Sequence, residues 1–122
     1  MFSADDFFGL FLGDGFSIVQ ITVVEEPIED LFGKPAAGRT LIAHRGLHIA
    51  IAAALDEKEK SVTLYHEVLE AMTVMASHGP DAVRDFGEQD FEREGYRAFD
   101  RFGPASPSTL LAMLQFYGFR RE

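Results

Sequence analysis

The chain has 122 residues, which suits a single domain covering residues 1–122, and its hydrophobic content of 47 % is enough to form a core. There is no cysteine, which excludes disulfides, thiolate metal sites and thiol catalysis and leaves His, Asp and Glu as the side chains that could hold a metal. The net charge of −9 argues against binding to nucleic acid or to an anionic membrane, because both need positive charge on the protein.

The N-terminal segment does not have the features of a secretory signal. Asp5 and Asp6 stand where a signal peptide needs positive charge, and no small-residue cleavage site follows a long apolar run. No stretch approaches the ~20 apolar residues that span a bilayer. We therefore expect a cytoplasmic protein.

The first third of the chain predicts one helix and one strand. Residues 3–12 predict a short amphipathic helix with Ser3 as its cap. Residues 16–24 are rich in β-branched side chains and predict a strand. Residues 25–38 contain two prolines and two glycines, and we expect a loop there with one turn of helix around 28–32.

The middle of the chain predicts a β-hairpin over residues 39–54. Two extended runs, 39–44 and 47–52, flank a short connection that contains a glycine. The unpaired edge of such a hairpin could pair with an extended peptide through main-chain hydrogen bonds. A peptide or protein is therefore the partner we expect.

Three helices should follow the hairpin. The first is expected over residues 57–77, because Asp56 is a good N-cap and a glutamate follows three residues later. The second is expected over 81–102 with a break near Gly87, and the third over 107–117. Strands followed by helices predict an α+β fold in which a small twisted sheet packs against three helices.

The first of these helices carries the residues with catalytic potential. His66 and Glu70 lie one turn apart on the same face, where both can reach a single ion, and Glu67 stands beside them. Two ligands and an adjacent carboxylate suit metal-assisted hydrolysis, in which Glu67 would take a proton from a water on a bound Zn²⁺ or another divalent metal. The alternative is a solvated polar helix face, and the five-residue string alone favours that alternative.

The context of this string resembles a known family. A strand at 47–52 precedes the HExxE helix, and a Glu-rich helical segment at 88–96 follows some twenty residues later. This layout resembles the minimal zincin core of the ImmA/IrrE-like metallopeptidases and their relatives in phages and mobile elements. The resemblance covers residues 39–117, and the pieces that carry it are 49–51, 63–71 and 92–99. In that family a strand precedes an HExxH helix, and a later helix with an ExEAxxFA-like pattern supplies the third ligand.

The resemblance implies a role for each matching residue. His66 matches the first metal ligand and Glu67 the general base. Glu92 matches the third ligand, with Glu94 as its close competitor. His78, which follows the helix, is a further alternate ligand, although capping of the helix end is the simpler interpretation.

Two departures from the family pattern bear on activity. Glu70 stands where the family has its second histidine, which makes the ligand set harder and less matched to zinc. The order Ala98-Phe99 differs from the family pattern and weakens the alignment of the third ligand. Gly95 stands where the family tends to have alanine, and we expect it to let the second helix approach the first closely.

Two functions from different classes are consistent with the sequence. The first is a metal-dependent peptidase or other hydrolase that uses the residues just named. The second is a zincin-like protein without catalysis that acts as a small interaction or regulatory protein, for example of a mobile element. A third interpretation is an unrelated α+β protein. His44 and His48, which flank the hairpin turn, are interpreted as surface or half-buried strand histidines rather than as ligands.

Overall fold

The computed structural model describes residues 2–30, 32–76 and 79–119 and has an α+β architecture. Within these residues it contains three α-helices, a mixed four-stranded sheet and a small two-stranded sheet. The strands are β1 (Phe11–Gly13), β2 (Phe16–Val24), β3 (Ile28–Glu29), β4 (Pro35–Ala36), β5 (Gly38–Ala43) and β6 (Gly46–Ala52). The helices are α1 (Glu57–Met75), α2 (Glu88–Phe102) and α3 (Pro107–Phe116). The α+β prediction is confirmed.

The main sheet has the strand order β1-β2-β6-β5. The predicted hairpin is confirmed as the antiparallel pair β5–β6, with Ala43 opposite Gly46. Its turn lies one residue earlier than expected, so that Gly46, the glycine predicted for the connection, begins β6. Its two-residue turn, His44-Arg45, has positive φ at both positions, 52° and 62°, which is the geometry that matches the twist of paired strands. Strand β2 runs parallel to β6 on the other side, so β5 forms one edge of the sheet.

One face of the sheet forms the core against the helices. Leu47, Ile49 and Ile51 of β6 alternate with more exposed neighbours and are buried, as expected for a sheet with one covered face. Helix α1 contacts both β5 and β6. Buried Tyr65 fixes α1 against the C-terminal region, because its hydroxyl donates to the carbonyl of Gly103 and bonds to Thr109. This packing places the opposite face of α1 next to the edge strand.

The predicted bounds of α1 and α3 are nearly right. Helix α1 begins after Asp56, whose carboxylate accepts a hydrogen bond from the backbone N–H of Glu59 at 2.8 Å, as the N-cap prediction requires. It ends at Met75, and α3 ends at Phe116.

The second helix is shorter than predicted. A 3₁₀ turn occupies Asp81–Val83, and α2 begins only after Gly87, which confirms the break expected there. The carboxylate of Asp90 accepts a hydrogen bond from the N–H of Gly87 and fixes this start.

Two predictions for the first third of the chain are wrong. Residues 3–12 do not form one helix: a 3₁₀ turn covers Ala4–Phe7, the side chain of Ser3 does not cap it, and β1 follows because it pairs with β2. The helical turn expected around 28–32 is replaced by the β3–β4 hairpin. The carboxylate of Asp30 accepts hydrogen bonds from two backbone N–H groups of the connecting loop and so stabilises a turn rather than a helix.

None of the helices in the described part of the chain has the length and apolar character needed to cross a membrane.

Candidate metal centre

A groove of about 930 Å³ runs along the polar face of α1. Its floor is the row of α1 side chains that includes Thr63, His66, Glu67 and Glu70. The edge strand β5 and the β3–β4 hairpin form one wall, and the first half of α2 forms the other. The predicted HExxE face therefore lies inside this groove.

Two glycines let the walls approach α1 closely. A Cβ atom on Gly95 of α2 would lie 2.9 Å from the carbonyl oxygen of Val62 and 3.3 Å from the Cβ of His66, so a side chain there would force the two helices apart. The approach predicted for Gly95 is confirmed. A Cβ atom on Gly38 of β5 would lie 2.6 Å from a methyl group of Thr63, so this strand also needs glycine at its point of contact.

His66, Glu67 and Glu70 come together as their spacing predicts. Each offers a ligand atom, and these atoms all lie within 4.8 Å of one another. Nε2 of His66 is 3.8 Å from Oε2 of Glu70. Residues at positions i, i+1 and i+4 of a helix lie close together, so α1 alone is sufficient to bring these three side chains into one group.

Glu88 joins the group from the start of α2, which the sequence reasoning missed. Its Oε1 lies 3.1 Å from Nε2 of His66. Glu88 is one helical turn before Glu92 on the same face, so the signal that pointed to Glu92 could also have pointed to Glu88. The break at Gly87 left open where this helix starts, and therefore which glutamate meets His66.

The structure places the other candidate ligands as follows. Glu92 lines the groove one turn further along α2 and is exposed. Glu94 lies outside the groove, buried and bonded to the hydroxyl of Tyr117 and to Arg93 and Arg97, so it is not positioned to act as a ligand there. His78 lies outside the described residues.

The remaining two histidines lie at the surface, as interpreted from the sequence. His44 is exposed in the hairpin turn. His48 is exposed, and the alternation of β6 directs its side chain to the face of the sheet opposite α1.

Glu67 is held between the helix and the edge strand. Its side chain is buried, and the hydroxyl of Thr40 donates a hydrogen bond to its Oε1 at 2.9 Å. Burial raises the pKa of Glu67, and the hydrogen bond from Thr40 and the nearby imidazole of His66 only partly oppose this effect. A buried carboxyl group with a raised pKa is suited to accept and return a proton.

The charges around His66 are not balanced. Burial lowers the pKa of His66, but the approach of Glu70 and the charges of Glu67 and Glu88 outweigh it, so the pKa is raised. Contact with His66 lowers the pKa of Glu70 despite burial. The contact with Glu70, together with burial and repulsion, raises the pKa of Glu88 to about 6. One imidazole thus faces three carboxylates.

The residues present fit a divalent metal ion. Nε2 of His66 is buried and forms no hydrogen bond of acceptable geometry with any described residue, although two carboxylates are close to it. An imidazole nitrogen and several carboxylate oxygens are ligands that zinc, manganese and iron accept, and the excess of oxygen favours the harder of these ions. A cation would also relieve the repulsion among the carboxylates.

A scan against protein-family models and searches of curated proteins and of solved structures gave no match to this chain.

Proposed function

We propose that the protein is a divalent-metal-dependent hydrolase that cleaves peptide bonds with a zincin-like arrangement of residues. The observation that carries the proposal is the convergence of His66, Glu67 and Glu70 on α1, with Glu88 only 3.1 Å from the imidazole nitrogen. His66, Glu70 and Glu88 would hold the ion, and Glu67 would act as the general base. Glu88 takes the place that the resemblance to zincins assigns to Glu92.

The proposed mechanism assigns one task to each residue. A bound divalent ion would supply a water of lowered pKa and polarise the substrate carbonyl. Glu67 would take a proton from the attacking water as its oxygen bonds to the carbonyl carbon, and would return a proton to the leaving amine as the carbon–nitrogen bond breaks. Thr40 binds one carboxylate oxygen of Glu67 and leaves the other free for the proton transfer.

The edge strand supports a peptide as the substrate. Strand β5 is the last strand of its sheet and borders the groove, so its outer backbone groups lack a partner strand within the described residues. An extended peptide could pair with this edge and lie across the metal centre. The hydrogen bond from Thr40 to Glu67 links the same strand to the catalytic group.

The test compares metal content and cleavage in three proteins. Wild type purified without chelator should contain about one divalent ion per chain, and His66→Ala should lose it, because one ligand and the only imidazole of the group are removed. Glu67→Gln should keep the ion and lose cleavage of a mixed casein-derived peptide pool by about 10²–10⁴-fold.

Two results would contradict the proposal. Equal metal content in wild type and His66→Ala would refute the metal centre. Retained metal with no cleavage by wild type would refute the hydrolase and favour the non-catalytic interaction protein. Circular dichroism of each variant controls for loss of fold.

A further inference from the structure

The walls of the groove carry a large excess of negative charge. Seven carboxylates line it: Glu29, Asp30, Glu59, Glu67, Glu70, Glu88 and Glu92. Among the described residues that line the groove, only Arg39 carries a permanent positive charge. Arg39 lies between Gly38 and Thr40, which face α1, so strand alternation directs its side chain to the other face of the sheet.

This excess remains when the metal centre is loaded. A divalent ion would neutralise two of the seven negative charges. Glu29, Asp30, Glu59 and Glu92 take no part in the proposed centre and extend the negative potential beyond it. In a concave site, charges of one sign reinforce each other and select ligands of opposite charge. The charge of the groove is therefore complementary to a cationic ligand that is longer than a metal ion.

The dimensions of the groove suit an extended peptide. Its α1 floor runs from Glu59 to Val74, which is about 22 Å at 1.5 Å per residue. At about 3.3 Å per residue, an extended chain of roughly six or seven residues covers this length. Ile42 and Val74 are exposed along it and offer apolar contacts to the stems of long side chains.

We infer that the groove binds extended peptides that carry lysine or arginine side chains, with the main cationic subsite at Glu59 and Glu92. This inference rests on the proposed function, because it places the reacting bond at His66 and Glu67. The phenol of Tyr96 donates to both oxygens of Glu59, at 3.0 and 2.8 Å, and orients that carboxylate beside the groove.

The distance to this subsite predicts the position of the cation in the peptide. Eight residues of α1 separate Glu59 from Glu67, which corresponds to about 12 Å. That distance equals roughly three or four residues of extended peptide. Lysine or arginine should therefore be preferred three or four residues from the cleaved bond.

The experiment measures binding separately from cleavage. The probes are three fluorescein-labelled alanine-based heptapeptides in which the same three positions hold lysine, glutamine or glutamate. They are titrated by fluorescence anisotropy into zinc-loaded Glu67→Gln at two salt concentrations. The lysine peptide should bind about tenfold more tightly than the glutamine peptide, the glutamate peptide should bind least, and salt should weaken the preference.

A matched pair of variants tests the subsite. Glu92→Lys, made in the Glu67→Gln protein, should reduce the affinity for the lysine peptide about tenfold or more. Asp100→Lys is the control, because Asp100 is also exposed on α2, lies outside the groove lining and undergoes the same change of charge.

The outcomes separate this inference from the proposed function. Equal binding of the three peptides, no binding of any of them, or equal losses in the two lysine variants would overturn the inference. Cleavage of all three peptides by wild type at equal rates would retain the hydrolase and overturn the charge preference. Selective binding of the lysine peptide without cleavage by wild type would retain the inferred ligand and overturn the hydrolase.

Discussion

Helix α2 carries carboxylate contacts on two sides, a buried one at Glu94 and an exposed one at Glu88, and the two differ in how their charge is balanced. On one side Glu94 bonds to Tyr117, Arg93 and Arg97, and although burial raises its pKa, these partners outweigh that effect and lower it. On the other side Glu88 meets His66 and further carboxylates of α1, and its pKa is raised.

Only one of the two clusters has its negative charge balanced by cations. The Glu94 cluster already contains its cations and serves to hold α2 against the C-terminal segment. The groove cluster gathers three carboxylates around one imidazole, and so much like charge is unfavourable without a further cation. Two glutamates six residues apart on one helix thus differ in environment: Glu94 is paired with arginines and a tyrosine, and Glu88 lies where the proposed metal centre needs a ligand.

The largest expected effect separates Glu88 from Glu92 as the third ligand. Glu88→Gln should weaken binding of a divalent ion about 100-fold, because a ligand that lies 3.1 Å from the imidazole nitrogen loses its charge. Glu92→Gln, one turn away on the same face, should change the affinity less than about threefold, as for a nearby charge that does not coordinate. Calorimetric titration with Zn²⁺ and Mn²⁺ measures both. The reverse order of effects would assign the ligand to Glu92.

The next largest effect is expected on protein stability, at the Glu94 cluster, whose charge is balanced. Glu94→Gln should lower the free energy of unfolding by about 1–3 kcal/mol, because it removes charge-assisted hydrogen bonds from a buried carboxylate. Metal affinity should not change, since Glu94 lies outside the groove. Urea denaturation of the metal-free protein gives the energy, and Glu92→Gln is an exposed control expected to stay within about 0.5 kcal/mol. A loss of metal binding in Glu94→Gln would contradict the division of roles.

Local sequence patterns were sufficient to predict much of the fold and part of the candidate site. The start of α1 followed from the Asp56 cap, and the grouping of His66, Glu67 and Glu70 followed from helical spacing alone. The β5–β6 hairpin followed from its two extended runs around a short turn. Each of these features depends on residues close together in sequence, where propensity and periodicity act directly.

The features that sequence reasoning missed depend on distant contacts. The sequence weighed Glu92 against Glu94 and missed Glu88. The fit of Gly95 against α1 sets which face of α2 meets the groove, and the helix start after Gly87 places Glu88 beside His66. The short hairpin at 28–36 depends on the side chain of Asp30 bonding to its loop, which a count of prolines and glycines does not reveal. The hydrogen bond from Thr40 to Glu67 depends on the packing of β5 against α1, which joins residues that are distant in the sequence.

The smallest expected effect is a pH dependence in which the groups with raised pKa values, His66, Glu67 and Glu88, act against those with lowered pKa values, Glu70 and Glu94. The pKa of Glu88 is raised to about 6 in the folded chain, so the folded state binds more protons than the unfolded state between about pH 4.5 and 6. Its contribution to stability therefore increases as the pH falls through this window. The raised pKa of His66 acts in the same direction, because its contribution is present below its unfolded pKa and is lost as pH rises through the folded pKa.

Glu94 acts in the opposite direction at lower pH. Its pKa is lowered, so its contribution is present above the ordinary glutamate range and is lost as the pH falls through the folded pKa. Thermal unfolding of the metal-free protein should therefore show a shallow gain in stability from pH 7 to 5 and a loss below about pH 4. Glu88→Gln should remove part of the stability gained between pH 7 and 5 and leave the loss below about pH 4 unchanged. Glu94→Gln should reduce that loss and leave the gain unchanged. With saturating Zn²⁺ the gain in stability between pH 7 and 5 should disappear, because protons then compete with the ion for the same ligands. A gain that persists with the ion bound would mean that these carboxylates do not hold the ion.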